Sequence, residues 1–164
     1  MRQQKEIQKA LQATLYFLRC LSSELRTENS DTGRLLTFSQ GFLEQLSRSY
    51  FLSVERADFR QYEIPNLVWT KLGEPEYDIH VISYWDSIFS IDEGIMHLGQ
   101  FIDEEEREPG SICYVDFLHV LEHFNYGWHC LKLSREEVDD FDQDAFEEIT
   151  NHIPNINGLF FEEE

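Results

Sequence analysis

Basic residues are scarce in this chain: 13 Lys and Arg stand against 32 Asp and Glu, leaving a net charge of -19 and a pI near 4.5. A field of that sign repels phosphate backbones and anionic headgroups, which sets aside direct binding of nucleic acid and of membranes. Cysteine is scarce too. Cys20, Cys113 and Cys130 are odd in number, lack C-x-x-C spacing and have apolar neighbours, so a disulfide framework is excluded and buried free thiols are expected. The glycines, at 33, 41, 73, 94, 99, 110, 127 and 158, form neither G-x-G-x-x-G nor a phosphate-cradling loop ahead of Lys-Ser or Lys-Thr, and G-x-S-x-G is missing as well. Nucleotide binding and serine-hydrolase chemistry therefore have no support. No stretch reaches 18 uninterrupted apolar residues, and the opening Met1-Arg2-Gln3-Gln4-Lys5-Glu6 leads into no apolar block with a cleavage site. A cytoplasmic protein is expected, in a compartment where free thiols are normal.

What is present is globular composition, 41% hydrophobic over 164 residues, enough for one domain that buries a core without staples. Ile7, Leu11, Leu15, Leu18, Leu21 and Leu25 recur at helical spacing over residues 3–27. The capping cluster Thr27-Glu28-Asn29-Ser30-Asp31-Thr32-Gly33 follows, and Leu35, Phe38, Phe42, Leu46 and Tyr50 then resume the period to about residue 54. Residues 1–56 thus read as a helical hairpin. Beyond Pro65 the character changes: 66–70 and 78–85 are β-prone, 87–102 has a helical stripe interrupted by Gly94 and Gly99, and 103–110 reads as an exposed acidic loop. A helix over 112–124, a strand over 126–133 and a last helix from about Ser134 to Pro154 complete the chain. The expected fold is α+β, a single domain over 1–164 in which the hairpin packs with further helices and a small β-sheet of an acidic mixed part, 62–164.

The charge is divided along the chain. Residues 1–61 hold nine Lys or Arg and seven Asp or Glu, while residues 62–164 hold four and 25. Solubility alone needs far less, and more evenly spread, charge. The asymmetry fits a surface made for a basic protein partner. The acids expected to contact it are Glu104, Glu105 and Glu106, with Glu136, Glu137, Asp139, Asp140, Asp142, Asp144, Glu147 and Glu148 on the last helix. Trp85 and Trp128, at expected element ends near polar residues, are the aromatic anchors.

One string has a catalytic appearance. His119-Val120-Leu121-Glu122-His123 is similar to the H-x-x-E-H signature of the inverted zinc peptidases, in which two histidines one helical turn apart bind zinc and the glutamate activates water. On a helix, His119, Glu122 and His123 share a side, but the chain ends 41 residues later with no matching helix to supply a third ligand. Histidines near a helix C-terminus are also favoured by the helix dipole. No cofactor and no enzymatic activity are therefore expected, a zinc hydrolase on His119, Glu122 and His123 being the alternative.

In size, acidity, cytoplasmic character and absence of catalytic motifs the chain resembles bacterial immunity proteins of the polymorphic-toxin and contact-dependent growth inhibition type. The resemblance is one of character and rests on no alignable motif. It implies a cognate toxin, of nuclease type, encoded alongside and held in a one-to-one cytoplasmic complex. A DNA mimic that occupies a DNA-binding protein would use the same carboxylates, set along a longer track. A structural adaptor would explain the hairpin but not the charge.

Overall fold

The computed structural model describes residues 2–27, 30–56 and 84–130. They form four helices, α1 (Arg2–Leu25), α2 (Thr32–Arg56), α3 (Tyr84–Arg107) and α4 (Tyr114–Cys130), arranged as two hairpins.

Each hairpin follows from its sequence. In α1 the buried positions Ile7, Leu11, Leu15, Leu18, Leu21 and Leu25 return every three or four residues, so one side is apolar and must be covered. Asp31 starts α2: its Oδ1 accepts the amide of Arg34 at 3.1 Å and its carbonyl the amide of Leu35 at 3.0 Å, which satisfies donors a helix start leaves open. The turn is spanned by Glu24, a buried side chain of α1 whose Oε1 accepts the amide of Asp31 at 3.0 Å. The second hairpin repeats the device. Glu105, with no exposed surface, accepts the amides of Gly110 at 3.0 Å and Ile112 at 2.9 Å across the turn from α3 to α4. Gly110 sits at φ +97°, a conformation that only glycine adopts without strain. At the start of α4 the carboxylate of Asp116 accepts the amide of Cys113 at 2.8 Å.

The hairpins pack into a bundle with the cyclic order α2, α1, α3, α4. Gln4 of α1 donates to Glu105 of α3 at 3.1 Å, and at the other end Ser22 donates to Asp92 of α3 at 2.6 Å, so α1 and α3 run antiparallel. Ring contacts Phe42–Phe124 at 4.7 Å and Tyr50–Phe117 at 5.4 Å set α2 against α4, also antiparallel. The core between them holds the α1 leucines with Phe42, Leu46, Ile91, Leu98, Phe117, Phe124 and Trp128. The buried hydroxyls of Thr14, Ser49 and Ser53 are satisfied within their own helices, on the carbonyls of Ala10, Gln45 and Ser49 at 2.7 to 2.8 Å.

The expected α+β class is overturned: the described residues are all helical, with no strand among them. The strand expected over 126–133 is, as far as Cys130, the end of α4. Its aromatic residues favour strands, but Trp128 continues the buried series Phe117, Leu121, Phe124 at helical spacing, and packing overrides propensity. Tyr84 and Trp85, expected at a strand end, open α3, and the acidic stretch 103–107 is its last turns rather than a loop. Glutamates are good helix formers, and it is Pro109-Gly110 that ends the pattern. Gly94 and Gly99 do not break α3. The expected strands at 66–70 and 78–83 and the last helix lie outside the described residues. Of the three thiols only Cys130 is buried; Cys20 is half-buried and Cys113 exposed, and none of the three is in a disulfide. No described helix is long and apolar enough to cross a membrane.

Arg26 pairs with Asp92 between α1 and α3, both part-exposed, and also contacts Ser22. Burial raises the Asp92 pKa, but the hydrogen bonds from Arg26 and Ser22 and the Arg26 charge outweigh it and leave it below the ordinary value. A depressed carboxylate stabilises the fold above the unfolded pKa near 3.9, and this is lost as pH falls through the folded value. Asp92→Asn is expected to lower stability by about 0.5–1 kcal/mol at pH 7, a magnitude limited by solvent screening. Urea titrations at pH 7 and pH 3 check it: the gap to the parent should narrow at the lower pH, and an undiminished gap would assign the effect to packing.

Candidate functional site

The acids expected to face a partner divide on inspection. Glu104 and Glu106 are exposed near the end of α3, together with Asp103 and Glu108. Glu105 between them is the buried closure of the α3–α4 turn and offers nothing to a partner, because its place on the helix faces α1 and the loop amides. Trp128 is 3% exposed and its ring stacks on Phe124 at 6.2 Å, so it belongs to the core rather than to a docking face. Trp85 lies in the first turn of α3. Glu136, Glu137, Asp139, Asp140, Asp142, Asp144, Glu147 and Glu148 lie outside the described residues.

The charge division does carry into the fold. Residues 84–130, the α3–α4 hairpin, contain ten Asp or Glu and a single cation, Arg107. The described part of the α1–α2 hairpin contains eight Lys or Arg and five Asp or Glu. The two hairpins therefore have opposite sign, and the Arg26–Asp92 pair lies on their border.

A second constellation lies between α3 and α4. His119 and His123, one turn apart on α4, meet His97 of α3, with ring centroids 4.4 Å apart for His97–His119, 5.2 Å for His97–His123 and 4.8 Å for His119–His123. One nitrogen from each ring can be chosen so that all three lie within 4.8 Å of one another, and all three residues are half-buried. Among the described residues no other group of His, Cys, Asp or Glu gathers so closely as a possible metal-holding set. Glu93, one turn before His97 on α3, places Oε2 at 3.7 Å from Nδ1 of His123. Burial pushes the His123 pKa below the ordinary imidazole value, His119 and His97 push it the same way, and Glu93 opposes them. Ser90 donates to the carbonyl of His123 at 2.8 Å, and Phe101 flanks His97 and His119 at 6.3 Å.

Close approach of the helices makes this meeting possible. A Cβ on Gly94 would come within 3.1 Å of the His123 Cβ, and one on Gly127 within 3.0 Å of Ile91 and of the Ser87 carbonyl. Sequence reasoning grouped His119 and His123 with Glu122, yet Glu122 is exposed and no part of the cluster. His97 supplies the third donor that the string lacked. The signal that could have found His97 is its pairing with Glu93 at i, i+4 on one helix, facing the His119–His123 pair at i, i+4 on the next.

No protein-family model matches the chain. Neither the curated proteins nor the solved structures contain a significant match.

Proposed function

We propose that the protein is an acidic binding protein that neutralises a basic protein, acting as an immunity protein does on a nuclease-type toxin. One observation carries this reading: among the described residues the acids gather on the α3–α4 hairpin, ten against one cation. Self-repulsion of that density costs stability, and it is offset when a partner lined with Lys and Arg is bound. Asp103, Glu104, Glu106 and Glu108 are exposed at one end of that hairpin, where carboxylates steer a basic cleft and raise the on-rate.

The test is recovery of the partner from lysate of the source cell at low and high salt, followed by stopped-flow association with the purified partner. A basic protein bound one-to-one at low salt, whose activity is blocked in the complex, is expected. Reversing Glu104, Glu106 and Glu108 to Lys should slow association at least tenfold at low salt, with much of the difference lost at high salt, as for other edge charges. The parallel reversal Asp139→Lys, Asp142→Lys and Glu148→Lys asks the same of the C-terminal acidic run. Unchanged on-rates in both variants, with unchanged helical content, would overturn the reading.

A further inference from the structure

We infer that His97, His119 and His123 form a binding site for one divalent transition-metal ion of the zinc, cobalt, nickel and copper group. This inference is independent of the basic-partner reading. Three imidazoles supply three nitrogen donors, a set that suits these borderline ions, whereas calcium and magnesium require oxygen. The donors lie within 4.8 Å of one another. Around a tetrahedral ion with metal–nitrogen bonds of about 2.0–2.1 Å they would lie about 3.3 Å apart, so side-chain rotation must bring the half-buried rings together by at most some 1.5 Å. The backbone needs no rearrangement, because Gly94 already lets the His123-bearing face of α4 lie against α3.

Glu93 has a separate task. Its Oε2 is 3.7 Å from Nδ1 of His123, and closing by about 0.8 Å to hydrogen-bond distance would let it accept from Nδ1–H, which fixes the tautomer and turns Nε2 toward the ion. Carboxylates commonly orient metal-binding histidines in this way. It is a positioning residue. Phe101, against His97 and His119, covers one flank of the group with an apolar ring. Nothing cationic competes nearby on these two helices: Arg107, the single Lys or Arg in residues 84–130, is ten residues beyond His97 on α3. Three protein ligands leave the fourth tetrahedral position for water, and the ion would tie α3 to α4 across the middle of the hairpin. The third ligand is His97 of the preceding helix, and exposed Glu122 is no ligand, as the glutamate of an H-x-x-E-H peptidase is none.

Untagged full-length protein, stripped with chelator, is titrated with zinc by calorimetry and with cobalt(II) by visible absorption. The expected result is one ion per chain, the absorption of tetrahedral nitrogen-ligated cobalt, and a rise in the thermal midpoint on adding zinc. His97→Ala should weaken zinc at least 100-fold, and Glu93→Gln about 10- to 100-fold with the cobalt spectrum retained in type. Glu122→Ala should change nothing. Should His97→Ala fold poorly, His97→Gln and His119→Gln, which keep side-chain volume, replace it in the same titrations. The site is overturned if the parent takes up no stoichiometric zinc, if a folded variant lacking all three histidines binds as well as the parent, or if Glu122→Ala abolishes binding while a folded His97 variant does not.

Discussion

Glu105→Ala is expected to destabilise the protein by roughly 2 to 5 kcal/mol, although the residue sits in a run of surface glutamates. The side chain is fully buried, and its two oxygens accept the amides of Gly110 and Ile112 and the side-chain amide of Gln4. Removing the acceptor orphans the buried amide of Ile112 and the part-buried one of Gly110, and a buried orphan costs about 1–3 kcal/mol. Glu104→Ala and Glu106→Ala, on exposed neighbours, should stay within about 0.5 kcal/mol. Urea unfolding of the three variants checks the contrast. Hydrogen exchange adds the location, since the amides of Gly110 and Ile112 should lose protection before those of the helix interiors. Glu105→Gln keeps one carbonyl acceptor and should recover part of the loss. Equal stability of Glu105→Ala and Glu104→Ala would mean that the turn closes without the carboxylate.

Phe42→Ala is expected to cost about 3–5 kcal/mol, the range for emptying an aromatic site in a packed core. Phe42 has no exposed surface and faces Phe124 with ring centroids 4.7 Å apart. Its weight comes from where it stands, because α2 and α4 approach each other only sparsely and this ring pair, with Tyr50 and Phe117, is much of what joins the hairpins on that side. Val115, 64% exposed, is the control, and Val115→Ala should move the urea midpoint little. A loss below about 1.5 kcal/mol for Phe42→Ala would show that neighbouring side chains refill the space, or that the two hairpins are not held together there.

The α1–α2 hairpin was legible because its apolar residues keep one period from Ile7 to Leu25 and again from Leu35 to Tyr50, with a capping cluster between the two runs. The second hairpin was harder, and each error there has a physical source. Tyr126, Trp128 and their neighbours favour strands by propensity, but in the fold Trp128 belongs to the buried face of α4. Reasoning from charge also failed at the end of α3, where an exposed loop was expected: charge says that a residue can be solvated, not that it is. Glu105 follows two acids and precedes another, and only its angular position on α3 separates it from them. Of the histidine cluster, His119 and His123 were visible as a pair. His97 is 22 residues earlier, and its arrival depends on the antiparallel register of α3 and α4, which short strings cannot encode.

Two helices of the bundle point one way and two the other, since every packed neighbour is antiparallel. Their backbone dipoles therefore cancel along the axis. What remains among the described residues is set by side chains and points across the bundle, from the acidic α3–α4 pair to the basic α1–α2 pair. A body with a transverse moment is turned as it diffuses in the field of a charged neighbour. A basic surface would thus meet the α3–α4 side first and spend fewer collisions on the wrong face, while a second copy of this chain arriving with the same side forward would be repelled.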